Sequence, residues 1–226
     1  MERHFDEELK LLKQKLLVMA DTAQEMVGLA VRTLAERKSA YADQVFALEE
    51  KVNHIEIEVE EEALRLLALR QPAAGDLRLL TAMLKINNDL ERVADQACNI
   101  SETALFLLKE PPLKPVIDIP HMAELAQRMI KSAIEAFVRQ DAVLAQEVCR
   151  DDDEVDRLND KIFTDLLAIM VNDSKSVTRA VDLILVARNI ERVADHATNI
   201  SEDVIFIVEG KNIKHHIQEE TRRPDA

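Results

Sequence analysis

Residues 91–102 read ERVADQACNISE and residues 191–202 read ERVADHATNISE, an offset of 100 with ten of twelve positions identical. Only Gln96/His196 and Cys98/Thr198 differ between the copies. An internal repeat constrains architecture before any local feature does, because it requires one folding unit to be present twice.

The repeated stretch also carries a chemical pattern. Glu91 and Asp95 are four residues apart, as are Glu191 and Asp195. On an α-helix such pairs share one face, about 40° apart around the axis. With Glu91 as origin, Leu90, Val93, Ala97, Ile100 and Ala104 cluster at about 180–260°, so the carboxylates form a stripe away from the apolar face. Two like charges at this spacing destabilise a helix by about 0.2–0.5 kcal/mol unless a cation lies between them. A solvated acidic face is the ordinary outcome of such a stripe. It would not require the same unfavourable pair in both copies, which points to a divalent-metal site on the bundle surface.

The chain has 226 residues, 3 Gly, 6 Pro, no Trp and 32% charged residues. That is a helix-rich composition with little turn chemistry. The net charge of −14 opposes binding to phosphodiester backbones and to anionic membrane surfaces, and favours metal cations or basic protein patches. The first ten residues are charged and lack an apolar signal core. No apolar run approaches the ~20 residues that span a bilayer, so no membrane insertion is expected. Cys98 and Cys149 form no C-x-x-C pair and read as thiols in a reducing compartment, which points to the cytoplasm.

Helical periodicity divides the chain into six long segments. Residues 6–37 carry apolar positions from Leu9 to Leu34 at helical spacing. Ser39 is placed as the N-cap of a second helix running to about Arg70, where Pro72 stops it. A third helix spans about 76–109. Residues 110–120 contain four prolines in eleven positions and read as a linker. Residues 120–140, 141–171 and 175–209 repeat the plan, with a turn at Asn172-Asp173-Ser174 and Gly210 as the C′ residue. Residues 211–226 form a polar tail. The expected fold is all-α: two tandem, pseudo-symmetric three-helix bundles, residues 1–110 and 121–210, joined by residues 111–120.

The second helix of each unit adds oxygen donors. Glu49 and Asn53, followed by Glu56 and Glu60, match Asp152 and Asp156, followed by Asn159, at an offset of 103. These positions flank the apolar stripe, where helix two can lie beside the outer edge of helix three. Four oxygen-bearing side chains would then meet across a groove that suits hard or borderline ions such as Mg²⁺, Mn²⁺ or iron. The run from Glu56 to Glu62, five acids in seven residues, also reads as a charged surface.

Other chemistries find little support. Ferritin-like di-iron bundles use inward Glu-x-x-His motifs, and no Glu here has His three residues later. Gly28, Gly75 and Gly210 are isolated, so no phosphate-binding loop exists. Of the histidines, His4, His54, His121, His215 and His216 read as surface residues; His196, beside Asp195, is a possible ligand. Arg92 and Arg192 are expected to pair with acids on neighbouring helices. A metal-dependent enzyme or a metal-storage protein using the same carboxylates is the alternative to a binding role.

The paired E-R-V-A-D-x-A-x-N-I motifs, the R-Q-P-x-x-x-D-L-R run at residues 70–78 and the E-E-K-V-N at residues 49–53 resemble the PhoU family of phosphate-signalling regulators over almost the whole chain. The resemblance implies two tandem three-helix bundles. It also implies surface clusters of iron or another divalent metal, such as Mn, Mg or Zn, held by Glu/Asp-x-x-x-Asp motifs. It further implies a non-enzymatic, cytoplasmic negative regulator, often a homodimer. Such a protein links the ATPase subunit of the phosphate ABC transporter to a sensor histidine kinase. Carried over by position, the ligands are Glu49, Asn53, Glu91 and Asp95 in the first unit and Asp152, Asp156, Glu191 and Asp195 in the second. Asn53 departs from the acidic pattern, so the second unit is expected to bind metal more tightly.

Overall fold

The computed structural model describes residues 2–113, 118–211 and 213, with side chains from residue 5 onward. It consists of six long helices: α1 (Glu2–Glu36), α2 (Ala40–Arg70), α3 (Ala74–Leu107), α4 (Asp118–Arg139), α5 (Ala142–Asn172) and α6 (Val177–Glu209), with a 3₁₀ turn at Ser174–Ser176 before α6. The middle of the expected linker, the expected polar tail apart from residues 211 and 213, and the side chains of His4, His215 and His216 lie outside the described residues.

Local chemistry explains several helix ends. Asp141 accepts backbone N–H bonds from Val143 and Leu144 and so caps α5, satisfying donors that the first turn leaves without partners. Asp173 does the same for Lys175 at the 3₁₀ turn. Gly210 closes α6 at φ 70°, a left-handed conformation that glycine adopts without steric cost. Ser39 occupies the N-cap position of α2 as expected, but its side chain makes no capping bond. Helix α4 begins at Asp118, two residues earlier than the prolines suggest. Pro120 falls in its first turn, where a missing N–H costs nothing.

The fold is two antiparallel three-helix bundles, α1–α3 and α4–α6, fused side by side. Helix α3 packs on α1 and α2 within its own unit, and α6 packs on α4 and α5; α3 and α6 also lie directly against each other, and α1 touches α4. The buried apolar residues therefore form a single cluster through both units, with Leu12, Met26, Leu80, Leu90, Ile100, Phe137, Ile190 and Ile200 among its members. Each fully buried side chain of this size contributes about 1.5–3 kcal/mol of transfer free energy. Helices α3 and α6 are the central pair, covered on most sides, which is why the repeated motif sits on them: its apolar positions build the shared core and its carboxylates emerge at the edge facing α2 or α5.

Candidate functional site

Each unit brings its expected carboxylates to the same groove, between the second and third helices. The two grooves differ in what they do with the charge.

In the second unit, Asp152 and Asp156 on α5 face Glu191 and Asp195 on α6. Burial, reinforced by Asp156, Asp195, Asp153 and Glu191, pushes the Asp152 carboxyl up to about 7. Its Oδ1 is buried without a hydrogen-bond partner. Asp156 and Asp195 reach the surface, yet the adjoining helix strips enough water from each to raise its pKa. Asp195 adds its repulsion to Asp156, while His196 and Arg192 partly relieve Asp195. Glu191 is raised by burial, by Asp195 and by Asp156, against an opposing hydrogen bond from Asn159 and the charge of Arg188. Burial is the first cause in all four carboxylates, and repulsion from neighbouring acids adds to it at Asp152, Asp156 and Glu191. Cys149 lies at the upper end of this groove, held up at about 11 by burial and by the charges of Glu202 and Asp152.

In the first unit the groove is partly neutralised. Arg92 lies 3.5 Å from Glu91 and 3.5 Å from Asp95. This pairing is within α3, not across helices as the sequence suggested. Glu91 is still raised, by burial, Asp95 and the more distant Glu56. Helix α2 is anchored beside it by Asn87, whose Nδ2 donates to the Glu56 carbonyl at 3.0 Å. Glu49 sits against the buried Cys98; burial first, then Glu49, Asp95 and Glu102, push that thiol far above its ordinary range. Asn53, the neutral position, is exposed and brings no charge to the groove.

The donor set suits a hard cation in kind: oxygen ligands in mutual repulsion and, in the second unit, one orphaned buried oxygen. Among the described residues, however, no three His, Cys, Asp or Glu side chains are gathered into a ready coordination shell. An ion would draw these side chains together rather than enter a preformed cage. His196 takes another part. Its Nδ1 donates to Oδ1 of Asp89 at 2.9 Å, and Nδ2 of Asn199 donates to the same oxygen at 3.2 Å, so the ring fastens α6 to α3 between the units. His54 is an exposed partner of Glu58 at 3.0 Å.

Sequence reasoning missed the two thiols against the carboxylates, the Arg92 clamp and the Asp89–His196 pair. The cysteines were detectable in principle: Cys98 follows Asp95 by three residues, which places both on neighbouring positions of one helix face. The Asp89 pair had no signal, since it joins residues 107 apart.

The family model described as the PhoU domain matches residues 16–104 and, again, 119–204. This chain belongs to the PhoU family. Its PhoU relatives include a "Phosphate-specific transport system accessory protein PhoU homolog" of Aquifex aeolicus, 38% identical over 213 residues, covering 94% of this chain and 96% of the relative. One of the same name from Pseudomonas putida is 36% identical, covering 94% and 84%. The crystal structure of PhoU from Pseudomonas aeruginosa superposes with a TM-score of 0.89 at 36% identity, covering 92% of this chain and 100% of that one. A PhoU described as a phosphate transport system regulatory protein, from Streptococcus pneumoniae, shares the fold at a TM-score of 0.87 and 24% identity, covering 93% and 99%. Among the described residues no helix is long and apolar enough to cross a membrane.

Proposed function

We propose that this chain is a regulatory adaptor of phosphate uptake: a cytoplasmic negative regulator that binds the ATPase subunit of a phosphate ABC transporter and a phosphate sensor histidine kinase, works as a homodimer and turns over no substrate. The observation that carries the reading is family membership across both units, shared with relatives named as accessory proteins of phosphate-specific transport. A doubled helical scaffold with long exposed helix faces suits simultaneous contact with two partners.

Within that role, Asp152, Asp156, Glu191 and Asp195 hold a cation such as iron, Mn²⁺, Mg²⁺ or Zn²⁺. Glu49, Asn53, Glu91 and Asp95 form its weaker counterpart, because Asn53 is neutral and Arg92 already occupies Glu91 and Asp95. A bound ion supplies the missing counter-charge and ties the second helix of the unit to the third. The protein's own part is to bury these carboxylates side by side in the groove, so that each resists ionisation without one.

The test is binding of the transporter ATPase and the kinase to metal-loaded protein, metal-stripped protein and the Glu191→Ala/Asp195→Ala variant. Binding that follows metal supports both parts of the reading. Binding indifferent to metal and to the substitutions keeps the adaptor and removes the metal. Failure of every form to bind either partner sinks the adaptor reading.

A further inference from the structure

A cavity of about 490 Å³ opens where the end of α3, residues 109–110 and the start of α6 meet. Lys109, Lys175 and Arg179 line it. Three cations gathered at one cavity run against a chain charge of −14. Among the described residues none of the three has a carboxylate within ion-pair reach. Lys109 lies over the Phe106 ring, 5.0 Å from its centre. Arg179 donates to the carbonyls of Pro111 at 2.9 Å and Lys175 at 3.4 Å. Two carboxylates share the cavity, Glu110 and Asp182. Asp182 is raised by burial alone, so no cation is close enough to relieve it, and the positive charge is not consumed inside the cavity.

The carbonyl oxygens that would repel an anion here are covered. Arg37 donates to those of Leu107, Leu108 and Glu110 at 3.4, 2.8 and 2.7 Å, and Arg179 takes that of Pro111. The acidic surface elsewhere acts weakly at this point, because salt screens exposed charges beyond about 8–10 Å. The other end of the α3–α6 pair, related by the offset of 100, is built differently. Phe206 stands in place of Phe106, but Glu209 replaces Lys109, Gly75 replaces Lys175, Leu79 replaces Arg179, and Arg78 in place of Thr178 is a single cation. Lys85 lies over the Phe206 ring at 5.5 Å and is bridged to Asp203 at 3.1 Å; Glu209 is bridged to Lys211 at 3.4 Å. The cationic cavity therefore belongs to one end and is not a by-product of the repeat.

Size and lining select the ligand. The cavity falls within the range of about 300–1,000 Å³ that holds small organic molecules, more than a bare anion fills. Phe106 remains 63% exposed with Lys109 over its ring. An open aromatic ring beside cations suits a planar base that stacks and a phosphate chain that pairs with Lys and Arg. We propose that this cavity binds a nucleoside polyphosphate, its base stacked on Phe106 and its phosphates paired with Lys109, Lys175 and Arg179. Glu110 and Asp182 accept hydrogen bonds from the sugar hydroxyls, and the Thr178 hydroxyl donates to the phosphate chain. The site is separate from the acidic grooves and their metal, and it stands whether or not the adaptor reading does.

The test is isothermal titration calorimetry of the full chain with ATP, tripolyphosphate, inorganic phosphate and adenosine. EDTA is present throughout, so that no ion in the acidic grooves can recruit phosphate. ATP is expected to bind at one site per chain. Adenosine and inorganic phosphate, each offering part of the contacts, should bind at least about tenfold more weakly. Lys109→Glu with Lys175→Glu, both exposed positions, should weaken ATP by more than about tenfold. Phe106→Ala should weaken ATP by about fivefold or more and leave tripolyphosphate unchanged, because only ATP carries a base to stack. Lys51→Glu with Lys211→Glu makes the same change of net charge elsewhere on the surface and should have little effect; circular dichroism confirms that each variant is folded. Equal weakening by the Lys51→Glu/Lys211→Glu protein would reduce the binding to general charge attraction and overturn the proposal. ATP binding that survives Lys109→Glu/Lys175→Glu overturns it by placing the nucleotide elsewhere. Tripolyphosphate binding as tightly as ATP, with Phe106→Ala affecting neither, overturns the nucleotide. Absence of any heat of binding at millimolar ATP overturns the site.

Discussion

The first and second units share a backbone plan and a carboxylate pattern, yet they leave their charge in different states. In the first, Arg92 lies against both Glu91 and Asp95, and Asn53 replaces the acid found at Asp156. In the second, Asp152 and Asp156 meet Glu191 and Asp195 with only partial relief from Arg188 and Arg192. A duplicated fold can thus keep its core identical while one copy retains an unsatisfied acidic groove. Residues that face the core have many neighbours and little freedom to change, whereas groove residues at the edge can diverge at small cost to stability.

The shared core gives the largest test of that view. Leu90 and Ile190 are both fully buried and occupy equivalent positions. Leu90→Ala and Ile190→Ala should each cost about 2–5 kcal/mol. Because the core runs through both units, each variant should still unfold in one cooperative transition. Two separated calorimetric transitions, with only one of them shifted by each substitution, would break the comparison by making the units thermodynamically independent.

The acidic grooves should separate the units next. Asp152 has a folded pKa of about 7 against an ordinary 3.8. Between those values the folded state holds a proton that the unfolded chain has lost, so the contribution of Asp152 to stability falls as pH rises from about 4 to about 7 and is flat above. Asp152→Asn removes this penalty. In metal-free protein it should stabilise by about 1–2 kcal/mol at pH 8, solvent screening having reduced the full shift, and by nothing at pH 4. Glu91→Gln should give a smaller gain, since Arg92 already offsets part of the repulsion. Urea midpoints at the two pH values check both, and a gain from Asp152→Asn that persists at pH 4 would rule out the electrostatic cause.

Metal affinity sharpens the same contrast. Asp152→Asn or Asp195→Asn should weaken Mn²⁺ binding at least tenfold, about 1.4 kcal/mol. Asn53→Asp combined with Arg92→Gln should raise the first unit toward the second. Calorimetric titration showing equal affinities in the wild-type units, or a tighter first unit, would reverse the comparison.

Much of this was legible in the sequence, and for a definite reason. The 3.6-residue period shows which face of each helix is apolar, so six helices, their approximate ends and the edge position of the carboxylates follow from spacing alone. The repeat then implies that Glu191 and Asp195 sit where Glu91 and Asp95 do. What spacing does not contain is which helix a polar face will meet. The direct packing of α3 on α6 and the Asp89–His196 contact depend on non-local register. Arg92 misled for a related reason: a long side chain has several acids within reach, and here those of its own helix are nearer than any across the groove. Asp118 began its helix early because proline is excluded from helix interiors but not from first turns.

His196 supplies the smallest contrast and the one that best separates structure from ligation. It is one of two positions that differ between the repeated motifs, with Gln96 as its counterpart. Asp89 is almost fully buried and accepts from both His196 and Asn199. A buried carboxylate deprived of one donor loses stability, whereas one offered a replacement donor loses little. His196→Gln, whose amide can donate in place of the ring, should therefore cost only about 0.5–1 kcal/mol, and His196→Ala about 1–3 kcal/mol. Neither should change Mn²⁺ affinity by more than about twofold, because the ring is committed to Asp89 and only its charge, not a ligating nitrogen, reaches Asp195. A tenfold loss of affinity in both variants, at unchanged urea midpoint, would instead make His196 a ligand. It would also turn the one histidine of the repeat from a fastening between units into part of the second unit's distinct chemistry.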